Sequence, residues 1–253
     1  MPMLDRDGVR IYYEVHGRGP VILLTHGYSA TSQMWRGQIA EFTRRNTLVI
    51  WDMRGHGQTE APADPAAYSA AKTVADMAAL LDLAGAETAI VGGLSLGGFM
   101  SLAFHLAHPG RVKALMMIST GPGFRKDEAR ETWNKRALQI AGEWETEGLA
   151  RQQRLSKEAA TARHRSAEGL ALAGRGMLTQ QDSRVIDSLP GIKVPSLVVV
   201  GTNDTPYLAG SDYMAAKIPG ARKVVIADAG HSVNIDQPET FNREVGAFLA
   251  GLA

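Results

Sequence analysis

The stretch Thr88-Ala89-Ile90-Val91-Gly92-Gly93-Leu94-Ser95-Leu96-Gly97-Gly98 decides how the rest of the chain is read. Its first four residues form a short apolar run that ends in glycine, the mark of a strand buried on both faces. Residues 96–107 then carry helical spacing, so Gly93-x-Ser95-x-Gly97 falls on a strand-to-helix turn. A turn this sharp tolerates no bulk two residues before or after the serine, and Gly93 and Gly97 meet that demand. It points the Ser95 hydroxyl outward, while the positive end of the following helix faces any anion that develops there. Glycine-rich turns also open nucleotide-binding helices, so the motif has to be read in its context.

Outward from this turn the same alternation continues. Residues 9–15 are rich in Val, Ile and Tyr, and the Asp7-Gly8 pair before them suits a tight hairpin turn. Residues 21–24, 47–51, 114–118, 197–200 and 223–226 are short apolar runs, each predicting a strand buried on both faces. Residues 35–44, 70–83 and 240–249 carry helical periodicity; in the second, Val74, Met77, Leu80, Leu81 and Ala84 share one face. Strand and helix in alternation predict an α/β fold, a mostly parallel twisted sheet flanked by helices. Residues 124–184 break the rhythm, because Ile140 is their only Val or Ile and helix formers dominate. They predict a helical cap at 123–185 inserted into a single domain whose core is 1–122 and 186–253. Trp133, Ala137, Ile140, Ala141 and Trp144 line one helical face there, and Gly142, Gly148, Gly169, Gly174 and Gly176 predict several short helices.

Length and charge remove whole classes of function. The 253 residues suit one α/β domain and bury about 70–75% of the unfolded surface. With 27 Lys and Arg against 26 Asp and Glu, the net charge of +1 argues against nucleic acid as a partner. The chain has no cysteine, which excludes disulfides, thiolate metal sites and a Cys nucleophile. No apolar run approaches the ~20 residues of a membrane helix, and residues 1–9 lack the apolar stretch of a signal peptide. The expectation is a cytoplasmic protein without a membrane partner.

A serine hydroxyl is a weak nucleophile and needs a base that a carboxylate orients. Gly201-Thr202-Asn203-Asp204 follows the run 197–200, and Asp228-Ala229-Gly230-His231 follows 223–226. Ser95, Asp204 and His231 thus each lie just past a strand's C-terminal end, where open α/β sheets bind ligands. Thr25-His26-Gly27-Tyr28 occupies the same place after 21–24, so Tyr28 N–H and Leu96 N–H are the predicted oxyanion donors. His26 suits a loop-holding hydrogen bond, Asp228 shapes its own loop, and Asp52 holds its turn with Arg54. Asp182 and Asp187 are weaker rivals for the orienting acid. His105 and His108 have metal-like spacing but no third ligand, and His16 and His164 have no evident partner. The basic residues of 151–165 read as a solvated helix surface. Phe124, Trp133, Trp144 and Met177 are candidates to line an apolar substrate pocket. The nucleoside-triphosphate, zinc-protease and dinucleotide motifs are missing, so no cofactor or metal is expected.

Together these residues resemble the α/β-hydrolase superfamily over essentially the whole chain. His26-Gly27-Tyr28 looks like its oxyanion loop, Gly93-x-Ser95-x-Gly97-Gly98 like its nucleophile turn, and Gly201-x-x-Asp204 and Gly230-His231 like its acid and base loops. The resemblance implies a small lidded serine hydrolase, of the group with carboxylesterases, 3-oxoadipate enol-lactonases, C–C hydrolases and perhydrolases. It implies cleavage of a small carboxylic ester through an acyl-enzyme, with lactone or C–C bond cleavage as alternatives and a ligand receptor with vestigial hydrolysis as a remote one. Ser95 argues against epoxide hydrolases and haloalkane dehalogenases, for which the resemblance would require aspartate. One departure stands out: Thr205-Pro206-Tyr207 follows the acid at once, where many relatives carry a bulkier Pro-containing stretch.

Overall fold

The computed structural model describes residues 2–252. Its first strands, β1 (Met3–Arg6) and β2 (Val9–Gly17), pair antiparallel across Asp7 and Gly8. Both turn residues take positive φ, 55° and 76°, as a two-residue hairpin requires. The chain continues through β3 (Val21–Thr25), α1 (Arg36–Phe42), β4 (Thr47–Trp51), α2 (Ala70–Leu83), β5 (Ala89–Leu94), α3 (Leu96–Ala107) and β6 (Val112–Ile118). Four helices follow before the sheet resumes: α4 (Asp127–Glu147), α5 (Lys157–Ala160), α6 (Ala167–Ala173) and α7 (Arg184–Ser188). The last elements are β7 (Ser196–Gly201), α8 (Thr205–Lys217), β8 (Arg222–Ile226), α9 (Val233–Asp236) and α10 (Pro238–Ala250).

The eight strands form one sheet in the order β1-β2-β4-β3-β5-β6-β7-β8, antiparallel at β1-β2-β4 and parallel from β4 onward. Alternate residues of the central strands feed two cores. Leu23, Val49, Trp51 and Val91 pack with α2 and α3 on one face. Leu24, Leu48, Ile50 and Ile90 pack with α1 and α10, through Phe42, Phe241 and Val245, on the other. Strands β3, β5 and β7 are buried throughout, as continuous apolar runs predict. β8 differs from the expectation: as the sheet's edge it leaves Val225 46% exposed, because no strand covers its far side.

The 124–184 region is helical, and Ala137, Ala141 and Trp144 of α4 are fully buried. Gly142 does not break this helix, which runs 21 residues to Gly148, where φ of 62° ends it. The reading of 151–165 as a solvated surface also fails in part. Arg151 is buried, its guanidinium 5.0 Å from the Trp144 ring and paired with Glu143, and Glu158 is buried too. No helix among the described residues is long and apolar enough to cross a membrane.

Candidate active site

Parallel register carries the C-terminal ends of six strands to one end of the sheet. Thr25 stands beside Gly93, Leu94 beside Ile118, and Gly201 beside Ile226. Ser95 follows at once with φ 55° and ψ −116°, a strained backbone for a residue with a side chain. Its N–H donates to Ile118 O at 2.9 Å and the Thr120 hydroxyl donates to Ser95 O at 2.7 Å, which together over-determine the turn. A Cβ at Gly97 would sit 2.2 Å from Thr25 O, and one at Gly93 2.5 Å from Gly97, so only glycine fits either place. Gly27 passes close to Leu94 and Ser95, which sets the Tyr28 backbone beside the turn.

Across the mouth, Asp204 lies at the start of α8 and His231 in the loop after β8. The imidazole Nδ1 is 3.0 Å from Asp204 Oδ2; Asp204 is buried and the His231 side chain is 24% exposed. Asn203 N–H to Ala229 O at 2.9 Å ties the two loops together, and Gly230 N–H donates to Asp236 Oδ2 at 2.8 Å. Ser95 makes no hydrogen bond to His231. Tyr207 packs beside both instead: its ring centroid is 4.7 Å from that of His231, and it lines the cavity that opens at Ser95. Catalytic hydrogen bonds are commonly long or misaligned without substrate.

A model of the alpha/beta hydrolase family matches residues 21–244. The chain belongs to that family. A Bacillus subtilis (strain 168) protein, provisionally named a 2-succinyl-6-hydroxy-2,4-cyclohexadiene-1-carboxylate synthase, is 29% identical over 97% of both chains. The solved enol-lactonase of Burkholderia xenovorans LB400 superposes with a TM-score of 0.83 at 26% identity, covering 98% of this chain and 100% of its own. A thermophilic esterase of Thermogutta terrifontis gives 0.81 at 26% identity, covering 99% and 97%.

In this alpha/beta hydrolase a cavity of about 340 Å³ opens at Ser95 and Leu96, lined by Phe124, Trp133, Phe99, Leu178 and Tyr207 among others. Phe124 and Trp133 stack at 5.9 Å, and Trp133 Nε1 donates to Leu178 O at 2.8 Å. Trp144 and Met177 do not reach it. Trp144 is on the Trp133 face of α4 but three turns further along, about 16 Å away, packed with Leu170 and Ala171. Met177 is buried within the main core. Tyr207, Phe99 and Gln180 also line the cavity and are not among the residues the sequence nominates for it; of these, only Tyr207 has a cue, its place three residues after Asp204.

Several polar residues hold the walls. Buried His26 accepts Met53 N–H at Nε2 (2.9 Å) and so donates from Nδ1 to Gly27 O (2.6 Å), the loop-holding role expected. Burial pushes its pKa down to about 3. Asp52 holds its turn by accepting Ser32 N–H and Gln58 N–H at 2.7 and 2.8 Å, but Arg54 is not its partner. Arg54 instead makes a bidentate, buried pair with Asp76 at 2.7 and 2.9 Å. His164 finds partners in Gly57 N–H and Ser29 O, and His16 in Glu14. Asp182 pairs with Arg184 and Asp187 with Arg125, so neither serves His231.

Proposed function

We propose that this chain is a serine hydrolase of small carboxylic esters. Ser95 is the nucleophile, His231 the general base and then acid, and Asp204 the group that fixes the imidazole tautomer. Tyr28 N–H and Leu96 N–H receive the oxyanion. Leu96 begins α3, so its N–H has no acceptor within the helix. The Asp204–His231 contact at 3.0 Å, at the mouth where the strained Ser95 turn opens into an apolar cavity, carries this reading. Phe124 and Trp133 line that cavity, which supports a lid role for residues 123–185, and a volume of about 340 Å³ suits a short acyl group.

Replacing Ser95 by Ala lowers p-nitrophenyl ester turnover by at least about 10³-fold; full turnover in S95A overturns the assignment. The likeness to an enol-lactonase over 98% of the chain favours a second substrate class, lactones, on the same residues. A chain-length series of p-nitrophenyl esters run beside simple lactones separates the two.

A further inference from the structure

Tyr207 lines the cavity at the proposed nucleophile and packs its ring against the proposed base. Its backbone is fixed: Pro206 lies in the first turn of α8, and Tyr207 N–H donates to Asp204 O at 3.0 Å. Only side-chain torsions remain to move its hydroxyl. The ring lies tilted by 31° on His231, and the side chain lines the cavity together with Ser95. Burial raises the phenol above its ordinary value, and the charges of Asp204 and Glu158 add to the rise. The group therefore stays protonated and available as a hydrogen-bond donor at neutral pH.

Resting on the function proposed above, we infer that the Tyr207 hydroxyl is a catalytic hydrogen-bond donor to the leaving-group oxygen, and so sets which alcohols this enzyme can expel. In acylation the Ser95 oxygen bonds to the carbonyl carbon while its proton passes to His231 Nε2, and the carbonyl π pair moves onto oxygen. Collapse restores the carbonyl and breaks the bond to the leaving oxygen, which keeps the bonding pair and takes the proton from Nε2. That oxygen must lie between the Ser95 oxygen and the imidazole, in the cavity that Tyr207 lines beside His231. With substrate in the cavity, the phenol donates to the departing oxygen without giving up its proton. An alkoxide concentrates negative charge on that atom and gains much from a second donor. A nitrophenoxide spreads the charge into its ring and gains little.

The test compares kcat/KM, which reports acylation, for an alkyl and a p-nitrophenyl ester of the same acid. Tyr207→Phe keeps the ring on His231 and removes only the hydroxyl. Rates are normalised to sites titrated with a fluorophosphonate, which counts folded active centres. The expected result is a loss of about tenfold on the ethyl ester, the worth of one hydrogen bond, and less than about threefold on the p-nitrophenyl ester. Equal loss on both esters, or none on either, overturns the inference. Ser95→Ala assayed on the same pair keeps the two proposals apart: its retained turnover would sink the serine hydrolase itself, whereas an inactive S95A with a uniform Y207F effect sinks only the role of Tyr207.

Discussion

The two walls of the mouth are built differently. On the side proposed to receive the oxyanion, the loops after β3 and β4 are locked by groups with almost no solvent exposure: His26 between Gly27 and Met53, Asp52 on Ser32 and Gln58, Arg54 on Asp76. On the side of the proposed acid and base, His231 is partly exposed, β8 is an edge strand, and the helical segment touches the loop through Glu158 to Ser232 and Lys157 to Asp236. The difference matches what each wall has to do. Dipoles that stabilise a developing oxyanion act through being fixed beforehand. An imidazole that takes a proton from one oxygen and gives it to another has to adjust its distance to both.

If the first wall depends on its buried charges, the largest effect comes from unpairing them. Asp76→Ala leaves the Arg54 guanidinium buried without its carboxylate, and is expected to cost about 3–5 kcal/mol of stability in urea unfolding. Replacing both partners by apolar residues of similar volume is expected to recover most of that loss, because the pair's attraction largely offsets the cost of burying it. If the single variant is as stable as the parent, the wall's rigidity has another source.

Acid gives the next largest effect, and it falls on the same wall. His26 and His56 are fully buried, with ring centroids 5.0 Å apart, and His164 faces His56 at 5.8 Å. Burial lowers the pKa of both, His26 to about 3, with the neighbouring imidazoles adding to the shift. Below the ordinary value of about 6.5 the unfolded chain binds protons that the folded chain refuses, so stability present above that pH is lost as pH falls. Between pH 6.5 and 5.5 the loss is about 1 kcal/mol for each of the two histidines. Thermal unfolding across that range checks it; a flat profile would mean that these imidazoles accept protons in the folded state.

The parts legible in the sequence were those whose signal is local. Continuous Val, Ile and Leu runs marked the strands, and Gly93 and Gly97 marked a turn whose crowding leaves no room for Cβ. Asp204 and His231 could be named from their places after strands, and the structure sets them 3.0 Å apart. What escaped notice depends on contacts between distant segments. Arg54 chose Asp76 over its near neighbour Asp52, because α2 turns that carboxylate toward the strand end. Helical spacing put Trp133 and Trp144 on one face but could not tell which turn of α4 meets the cavity. Helix α8 is illegible in the sequence because its buried face is only Ser211 and Met214, and so is the place of Tyr207 in the cavity.

The smallest effect belongs to the second wall. Lys157 is 67% exposed and pairs with Asp236, whose other oxygen holds Gly230 N–H beside His231. An exposed ammonium gains little from such a pair once side-chain ordering and salt screening are counted. Lys157→Ala is therefore expected to change stability by less than about 1 kcal/mol and to leave ester turnover unchanged, since the Gly230 hydrogen bond remains. Urea unfolding at low and high salt measures it. A loss of several kcal/mol, or a matching fall in turnover, would mean that α5 clamps the base loop as firmly as His26 clamps the loop opposite, and the contrast between the walls would not hold.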